Sequence, residues 1–379
     1  MSRTGRKRSC SVKVGMLTLH CARNYGGVLQ AYALQTVLSQ LGHEPEIINL
    51  VPEYRRKDSV FPMDWRGVKP CVYNMLVVLQ YIPTKRRMAL FAEFSEKFLR
   101  LSPREYHTVA EIEEDRAHWD AYVCGSDQLW RPAFAGFDSL RAYFIDFVRQ
   151  RDVPKVAYAP SFGVSSVSDE YKSRIKPFLD DIKHLSVREK TGQTIIEEIT
   201  GRKVPVVLDP TLLLKAEDWT SLAAPPRVKP PYVLVYCQSE RQNLYDLVRE
   251  VKQATKLPVA VISLVPFNRI PGADHVFQDV SLSEFPGLFA HAACVCTNSF
   301  HGTAFSLIHR RPFWTSPHDS TNSRITDLLD KVGLPQRQIR TTGSLPKDPL
   351  EIDYSKAGPA LDEARRESMD FLKEALSEA

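Results

Sequence analysis

The fold is decided by residues 12–50, VKVGMLTLHCARNYGGVLQAYALQTVLSQLGHEPEIINL. The apolar run Val12–Leu19 predicts a strand, the glycine pair that follows predicts a turn, and the amphipathic stretch Val28–Leu41 predicts a helix. Gly42 suits the residue that ends this helix, and Glu46–Leu50 predicts a second strand. Two strands joined by a helical crossover predict a parallel sheet with right-handed connections.

The same alternation runs on both sides of a proline-rich stretch. Residues 223–232, AAPPRVKPPY, contain four prolines and predict a stiff linker. At 379 residues the chain also exceeds the ~250–300 residues at which a single core splits. We therefore predict an α/β protein with two Rossmann-like, doubly wound domains facing a cleft. The domains are 11–222, with a helical insertion at about 52–118, and 232–379.

Individual elements follow from the same patterns. Besides those in 12–50, strands are predicted at Ala121–Cys124, Lys155–Tyr158, Leu185–Val187, Val206–Leu208, Tyr232–Cys237, Val259–Leu264 and Ala293–Thr297. Helices are predicted at Tyr171–Ile182, Lys190–Ile199, Leu244–Ala254, Leu282–Ala290 and Gly302–His309.

Composition excludes several classes of protein. The net charge is +5, but four positive charges lie in the first ten residues, so the body is nearly neutral and unlike a nucleic-acid binder. No apolar stretch follows these basic residues, which argues against a secretory signal. The seven cysteines form no CxxC pair, as expected of free thiols in a reducing compartment, and core packing is the favoured role of Cys294 and Cys296. We expect a cytoplasmic protein without a metal or a cofactor.

The longest apolar segment is Val72–Ile82, too short for the ~20 residues that span a bilayer. Lys69 lies before it, and Lys85, Arg86 and Arg87 follow it. Core packing of a helix is the favoured interpretation. The alternative is a peripheral contact with the inner face of the membrane.

The strongest functional signal is residues 297–306, TNSFHGTAFS, which follow a short strand and open a helix. Ligands of open parallel sheets bind beyond the carboxyl ends of the strands. The free N–H groups of Gly302, Thr303 and Ala304 are predicted to face the cleft, where they favour phosphate or carboxylate. His301 beside them is suited to donate a proton or a hydrogen bond to that anion. The alternative is a capping turn with a buried histidine bonded to a backbone carbonyl.

Two further turns follow predicted strands of the first domain. Residues 24–27, NYGG, permit a tight turn and a close backbone approach, although they do not form the GxGxxG dinucleotide pattern. Residues 125–128, GSDQ, offer a hydroxyl and a carboxylate to sugar hydroxyls. The alternative for this second turn is an Asx-turn or a helix cap.

Arg188 lies at the end of a short predicted strand, in residues 186–190, SVREK. The guanidinium group of an arginine at this position is suited to bind a carboxylate or phosphate through two hydrogen bonds. A surface salt bridge to Glu189 or Asp209 is the alternative. Asp209, beside the predicted hinge, is also suited to orient Arg188.

With these turns identified, the chain resembles the polysaccharide pyruvyl transferase family. The resemblance extends over roughly residues 12–340 as short blocks in the family's order. They are 14–20 VGMLTLH, 24–34 NYGGVLQAYAL, 125–130 GSDQLW, 158–163 YAPSFG, 186–189 SVRE, 208–211 LDPT, 297–306 TNSFHGTAFS and 322–329 NSRITDLL.

The resemblance implies a fold similar to glycosyltransferase-B, with 11–222 on the acceptor side and 232–379 on the donor side. It implies transfer of pyruvate from phosphoenolpyruvate to two hydroxyls of one sugar, which forms a cyclic ketal on a cell-surface polysaccharide or its precursor. The implied partners are phosphoenolpyruvate and a sugar or lipid-linked oligosaccharide. A nucleotide-sugar-dependent glycosyltransferase and a non-catalytic glycan-binding member of the fold are the alternative functions.

Residue roles carry over by motif. His301 matches the family's proposed general acid, and Arg188 matches an arginine placed against phosphoenolpyruvate. Some members have a basic residue two positions before this histidine, where the present chain has Ser299. Donor binding then depends more on Arg188 and the helix N-terminus, or on another base such as Arg324 or Lys190.

The predicted site therefore has a catalytic pair and two binding sets. The catalytic residues are His301 and, as the acceptor-side base or orienting group, Asp127. Donor-binding residues are Arg188, Asn298, Ser299, Gly302 and Thr303. Acceptor-binding residues are Asn24, Tyr25, Gly26 and Ser126.

Overall fold

A computed structural model of the chain contains two parallel β-sheets, each flanked by helices. It describes residues 11–52, 68–115, 117–132, 137–150, 152–239, 241–264, 270–316, 323–339, 341 and 343–377. Within the helices that begin at residues 68 and 137, the side chains of 68–81 and 137–139 lie outside this description.

The first sheet has six strands in the order β3-β2-β1-β4-β5-β6, which is the order of a doubly wound Rossmann sheet. Every pairing in it is parallel. The strands are β1 Lys13–Leu17, β2 Glu44–Leu50, β3 Leu101–Tyr106, β4 Ala121–Cys124, β5 Lys155–Ala157 and β6 His184–Leu185. The helices are α1 Tyr25–Gln40, α2 Val68–Phe98, α3 Val109–Glu114, α4 Phe137–Ala142, α5 Asp169–Asp181, α6 Lys190–Thr200, α7 Pro210–Leu213 and α8 Ala216–Leu222.

The second sheet has five parallel strands in the order β11-β10-β7-β8-β9, so its chain order also reverses beside its first strand. All five residues of its central strand β7 are buried, as expected of a parallel strand covered on both faces. The strands are β7 Val233–Cys237, β8 Val259–Ser263, β9 His275–Phe277, β10 Cys294–Thr297 and β11 Phe313–Thr315. The helices are α9 Gln242–Thr255, α10 Glu284–His291, α11 Phe300–Ile308, α12 Ser323–Lys331 and α13 Ala357–Leu376, with a 3₁₀ turn at Pro335–Arg337.

These sheets confirm the predicted fold class, and most predicted strands lie within two residues of the observed ones. The predicted strand Val206–Leu208 is wrong, because only Val206 forms a bridge, to Val187. The region 52–118 is not purely helical, because its strand β3 extends the first sheet beside β2. The sequence of β3, LSPREY, carries a proline and two charges, which suit an edge strand but hide its pattern.

Helix α1 begins three residues earlier than predicted. The Asn24 side chain caps it by accepting a hydrogen bond from the Gly27 N–H at 2.8 Å. Gly26 and Gly27 therefore belong to the first turn of the helix and not to a turn before it.

One continuous cluster of buried side chains includes residues from both sheets. Tyr25, at the start of α1, donates a hydrogen bond to the Val280 carbonyl at 2.9 Å and stacks on Phe285 with ring centroids 4.6 Å apart. The C-terminal helix α13 returns to the first half of the chain, where Ser368 Oγ accepts from the Leu208 N–H at 3.0 Å. The two halves therefore share a core, and the boundaries 11–222 and 232–379 stay a prediction.

Cys294 and Cys296 are fully buried in β10 and belong to a second core cluster, separate from the one that both sheets share, which confirms their predicted packing role. Among the residues that the structure describes, no helix combines the length and apolar character needed to cross a bilayer. The side chains of 72–81 lie outside the described residues, so the predicted core packing of this segment and its alternative, a membrane contact, both stay untested.

Candidate active site

A cavity of about 210 Å³ lies where the carboxyl ends of the two sheets face each other. Its walls come from the turn before α1, the turn after β4, the start of α11 and the start of α12. The polar residues of these walls include Asn24, Asp127, Gln128, Ser299, His301 and Arg324. The structure thus brings together residues that are up to 300 positions apart in sequence.

His301 is the second residue of α11, and only 7% of it is exposed. Its Nε2 atom lies 3.7 Å from Asp209 Oδ2, an ion-pair distance that is too long for a direct hydrogen bond. Among the described residues, this buried Nε2 atom has no hydrogen-bond partner. Among the described residues, no hydrogen bond joins the His301 ring to a backbone carbonyl, so the alternative of such a histidine is wrong.

The position of the His301 ring is fixed by the other half of the chain. A Cβ atom built on Gly26 would lie 2.0 Å from His301 Nδ1 and 2.4 Å from Cε1. Since Cβ atoms do not approach other atoms so closely, only glycine leaves room for the imidazole here. The close approach that the NYGG turn allows is thus made to His301.

Arg188 is buried behind the cavity wall and ties two carboxylates together. One of its terminal nitrogens lies 2.5 Å from Asp209 Oδ2 and the other 3.3 Å from Asp127 Oδ1. Its guanidinium also stacks on Phe300 at 4.7 Å from the ring centroid. The prediction that Asp209 orients Arg188 is confirmed. The alternative of a salt bridge to Asp209 is also present, but it is buried and not on the surface, because only 1% of the Arg188 side chain is exposed. Arg188 does not line the cavity, so its predicted clamp on a ligand stays a prediction.

Both carboxylates are held in their charged form. Burial raises the pKa of Asp127, but Arg188 and the nearby His301 outweigh this effect and leave the pKa below its ordinary value. Burial acts in the same sense on Asp209, where His301, Arg188 and a hydrogen bond from Thr211 outweigh it and hold the pKa well below its usual range. The cavity therefore contains a carboxylate, Asp127, whose pKa lies below its ordinary value and which is ionised at neutral pH.

Arg324 is a cation on the cavity wall without a carboxylate in ion-pair contact among the described residues. An orientation of Gln128 in which its amide oxygen faces Arg324 gives the guanidinium two hydrogen bonds of 2.9 Å. Burial and the charge of Arg188 lower the pKa of Arg324 to about 10, so it remains positive at neutral pH. Lys190, the other base considered from the sequence, is exposed and is not part of the wall.

The start of α11 differs from the prediction. Because the helix begins at Phe300, the Thr303 N–H donates to the Ser299 carbonyl at 3.1 Å and is not free. In the same helix, the Ala304 N–H is used in the regular hydrogen bond to the carbonyl four residues earlier, that of Phe300. The N–H groups without an intrahelical acceptor are those of the first three residues, Phe300, His301 and Gly302. The predicted free N–H groups were therefore correct only at Gly302.

Three predicted donor residues make internal contacts. Asn298 links the ends of β10 and β7, because its Oδ1 accepts from Gln238 N at 3.1 Å and its Nδ2 donates to the Ser239 carbonyl. Thr303 Oγ1 donates to Ser299 O at 3.1 Å. A Cβ atom on Gly302 would lie 2.3 Å from Thr297 Oγ1, so Gly302 packs against the end of β10.

The predicted acceptor residues divide into two groups. Asn24 lies on the cavity wall while it caps α1. Tyr25 and Ser126 are fully buried. The Ser126 hydroxyl donates to Ala159 O at 2.7 Å, and the Ser126 N–H donates to Gln30 Oε1 at 2.8 Å. Neither Tyr25 nor Ser126 lines the cavity, so their predicted acceptor contacts stay untested expectations.

Two Rossmann-like domains with a polar site where their sheets face each other define a protein of the glycosyltransferase-B-like class. The chain belongs to the polysaccharide pyruvyl transferase family, whose sequence model matches residues 24–320. This is a family of transferases that modify polysaccharides. Among curated proteins, none matches the chain in sequence.

Several solved structures are distantly similar. A putative UDP-N-acetylglucosamine 2-epimerase from Listeria monocytogenes has 12% identity and a TM-score of 0.47, over 96% of this chain and 90% of that chain. A UDP-GlcNAc 2-epimerase from Methanocaldococcus jannaschii has 14% identity and a TM-score of 0.45, over 93% of both chains. The heptosyltransferase WaaC of E. coli has 11% identity and a TM-score of 0.38, over 81% of this chain and 90% of that chain.

Proposed function

We propose that the protein transfers pyruvate from phosphoenolpyruvate to a sugar of a cell-surface polysaccharide or its precursor and forms a cyclic ketal. The observation that carries this proposal is that Arg324 and His301 line one small cavity. Among the described residues, Arg324 has no carboxylate in ion-pair contact, and His301 Nε2 has no hydrogen-bond partner. A small donor with two anionic groups needs such a cation, and its protonation needs such an imidazole. The proposal includes no metal and no cofactor.

Arg324 and the start of α11 are the proposed donor site. Phosphoenolpyruvate carries a phosphate and a carboxylate, which favour a guanidinium and the N–H groups at a helix N-terminus. Arg188 supports this site indirectly, because its ion pairs hold the carboxylates of Asp127 and Asp209 in place. Ser299, on the wall beside His301, is a further hydrogen-bonding group for the donor.

The chemistry needs one proton donor and one proton acceptor. Protonated His301 gives its proton to the methylene carbon of phosphoenolpyruvate, which becomes a methyl group and leaves the central carbon electrophilic. One sugar hydroxyl attacks that carbon and loses its proton to Asp127 or to solvent. Phosphate leaves as its bond to the central carbon breaks. The second hydroxyl then attacks the same carbon and loses its proton to the now neutral His301 or to solvent, which closes the ketal.

The acceptor is proposed to lie against the first half of the chain, near Asn24 and Asp127. A sugar or a lipid-linked oligosaccharide supplies the hydroxyl pair. For a lipid-linked acceptor, the protein works at the cytoplasmic face of the membrane.

The test is a screen of sugar acceptors with phosphoenolpyruvate, with phosphate release as the signal. The proton spectrum of the product identifies the reaction, because a ketal has a methyl signal, whereas the isomeric enolpyruvyl ether has vinyl protons. We expect a methyl signal with the wild type and at least a hundredfold slower release with His301→Asn. A His301→Asn variant with normal turnover would contradict the role of His301.

Calorimetric titration of the same protein distinguishes pyruvyl transfer from the main alternative, a nucleotide-sugar-dependent glycosyltransferase. Binding of a nucleotide-sugar without binding of phosphoenolpyruvate would reject pyruvyl transfer in favour of a glycosyltransferase. Binding of a glycan without phosphate release from any acceptor would favour a non-catalytic member of the fold.

A further inference from the structure

A second and larger cavity lies at the opposite end of α11 from His301. Its volume is about 620 Å³, and its walls include the C-terminal ends of α10 and α11, the start of α8 and the first turns of α13. Ile308 on its wall follows His301 by seven residues, or about 10 Å of helix. None of the lining residues of the smaller cavity lines this one.

The charged residues of this second cavity are mostly cations. Lys215, Arg310, Arg311 and Arg365 face Glu217 and Asp362. Arg365 is already used, because its terminal nitrogen lies 2.6 Å from Asp362 Oδ1 and its Nε donates to the Leu212 carbonyl at 2.6 Å.

Arg310 and Arg311 form no ion pair with any residue that the structure describes. Lys215 and these two arginines therefore oppose a single remaining carboxylate, Glu217. The second cavity carries an excess of positive charge.

Two residues that line this cavity each have a buried nitrogen atom without a hydrogen-bond partner among the described residues. These atoms are His309 Nε2 and Arg311 Nε. Burial, together with the charge of Arg311, lowers the pKa of His309 to about 4, so the imidazole is neutral at physiological pH and has a donor or acceptor to offer. Buried polar atoms are normally paired, which suggests that a bound molecule completes these contacts.

Capping of the C-terminal end of α11 does not explain the presence of Arg310 and Arg311 at this cavity. Cations near a helix C-terminus stabilise its last carbonyls, and α11 ends at this cavity. Three of those carbonyls already have backbone donors. The N–H groups of His309, Arg310 and Arg311 donate to Phe305 O at 3.1 Å, Leu307 O at 3.1 Å and Ser306 O at 2.9 Å. Neither guanidinium donates to a carbonyl of the described residues.

We propose that this second cavity binds a phosphorylated small molecule, with its phosphate held by Arg310 and Arg311 and its organic part in the remaining space. Adjacent guanidiniums and an imidazole nitrogen are groups that bind phosphate oxygens. The volume lies within the roughly 300–1,000 Å³ of typical small-molecule sites and far exceeds one phosphate. Thr220 and the Tyr354 hydroxyl on the wall suit the hydroxyls of a sugar. This site is independent of the proposed pyruvyl transfer.

The experiment is calorimetric titration with three probes, which are inorganic pyrophosphate, glucose 1-phosphate and UDP. The test variant is the double substitution Arg310→Gln and Arg311→Gln, and Arg324→Gln marks binding in the active-site cavity instead. Arg366→Gln is the matched control, since Arg366 is an exposed arginine of α13 outside both cavities. We expect at least one probe to bind the wild type and the Arg324→Gln and Arg366→Gln variants equally, and the double variant at least tenfold more weakly.

The pattern of affinities identifies the ligand class. Tighter binding of glucose 1-phosphate than of UDP indicates a sugar phosphate, and the reverse order indicates a nucleotide. The proposal is wrong if no probe binds, if the double variant binds as the wild type does, or if Arg324→Gln alone removes binding.

A second variant covers the case in which the double substitution prevents folding. A Cβ atom on Gly358 would lie 3.3 Å from an Arg310 terminal nitrogen, so Gly358→Leu directs a side chain at that guanidinium from within a helix. It should fold and lose probe binding at least tenfold. Unchanged binding in folded Gly358→Leu would also overturn the proposal.

Discussion

Gly26 and His301 are in direct contact although 275 residues separate them, and the contact leaves no room for a Cβ atom on residue 26. Gly26 belongs to the first turn of α1, and His301 to the first turn of α11. The imidazole of one half of the chain is thus positioned by the backbone of the other half. Its orientation depends on how the two halves pack together.

The substitution Gly26→Ala should therefore damage catalysis more than stability. A methyl group 2.0 Å from Nδ1 must displace the ring, and a displacement of about 1 Å at a reacting group costs on the order of a hundredfold in rate. Alanine also favours the helix over glycine by about 1 kcal/mol, which offsets part of the clash. Phosphate release and thermal unfolding measure the two effects.

Gly192→Ala is the matched control, since Gly192 also lies in a helix and an added Cβ meets nothing closer than 3.3 Å. It should keep near-normal turnover. Equal turnover of Gly26→Ala and wild type would mean that the position of the ring does not matter for the reaction.

Arg324→Gln should raise KM for phosphoenolpyruvate at least tenfold and change kcat less. The reason is that Arg324 is a cation of the cavity wall without a bound carboxylate, so its charge is available to the donor. Steady-state kinetics at fixed acceptor concentration separates the two constants. Lys190→Gln is the control, because this exposed lysine is outside the wall. A larger effect at Lys190 than at Arg324 would refute the assignment.

Asp209→Asn should be among the most destabilising single changes in the protein. It leaves the buried guanidinium of Arg188 with one charged partner fewer, and breaking a buried pair costs about 3–5 kcal/mol. Asp362→Asn, which removes the 57% exposed partner of Arg365, should cost under about 1 kcal/mol. Urea unfolding compares the two variants, and similar losses would show that burial of the Arg188 pair has no energetic weight.

Stability should fall in acid because of Asp127 and Asp209. Their pKa values are lowered in the folded protein, so their stabilising contribution is complete above the unfolded pKa of about 3.9. Below it, the unfolded chain binds protons while the folded carboxylates stay charged, and the free energy of unfolding declines. Urea unfolding between about pH 5 and pH 3 should give a shallower decline for Asp127→Asn than for the wild type. Parallel curves would contradict the lowered pKa of Asp127.

Much of the fold follows from the sequence because its strands are short, apolar and buried. Strand β4 matched its prediction residue for residue, and β7 and β10 differed by one residue at one end. Strand β3 escaped prediction because an edge strand tolerates the proline and the charges that usually indicate a loop. Local pattern therefore finds central strands more readily than edge strands.

The site was predictable in its residue types but not in its contacts. The sequence placed His301, Asp127 and Asn24 at strand ends, and all three lie on the cavity wall. The glycine pair indicated a close approach at residue 26, but nothing local showed that the approaching group is the His301 ring and not a ligand. Arg324 and Lys190 were both named from the sequence as alternative bases, and only the fold shows that Arg324 is on the wall and Lys190 is not.

The path of α13 determines how this protein can be divided. Arg365 and Ser368 lie near the end of the chain, yet they bond to the backbone of Leu212 and Leu208. A fragment that ends at the proline-rich stretch would expose backbone and apolar surface that this terminal helix covers. Recombination that exchanges donor halves between related enzymes must therefore bring a compatible last helix with it. Amino-terminal halves and last helices are thus expected to evolve as matched pairs.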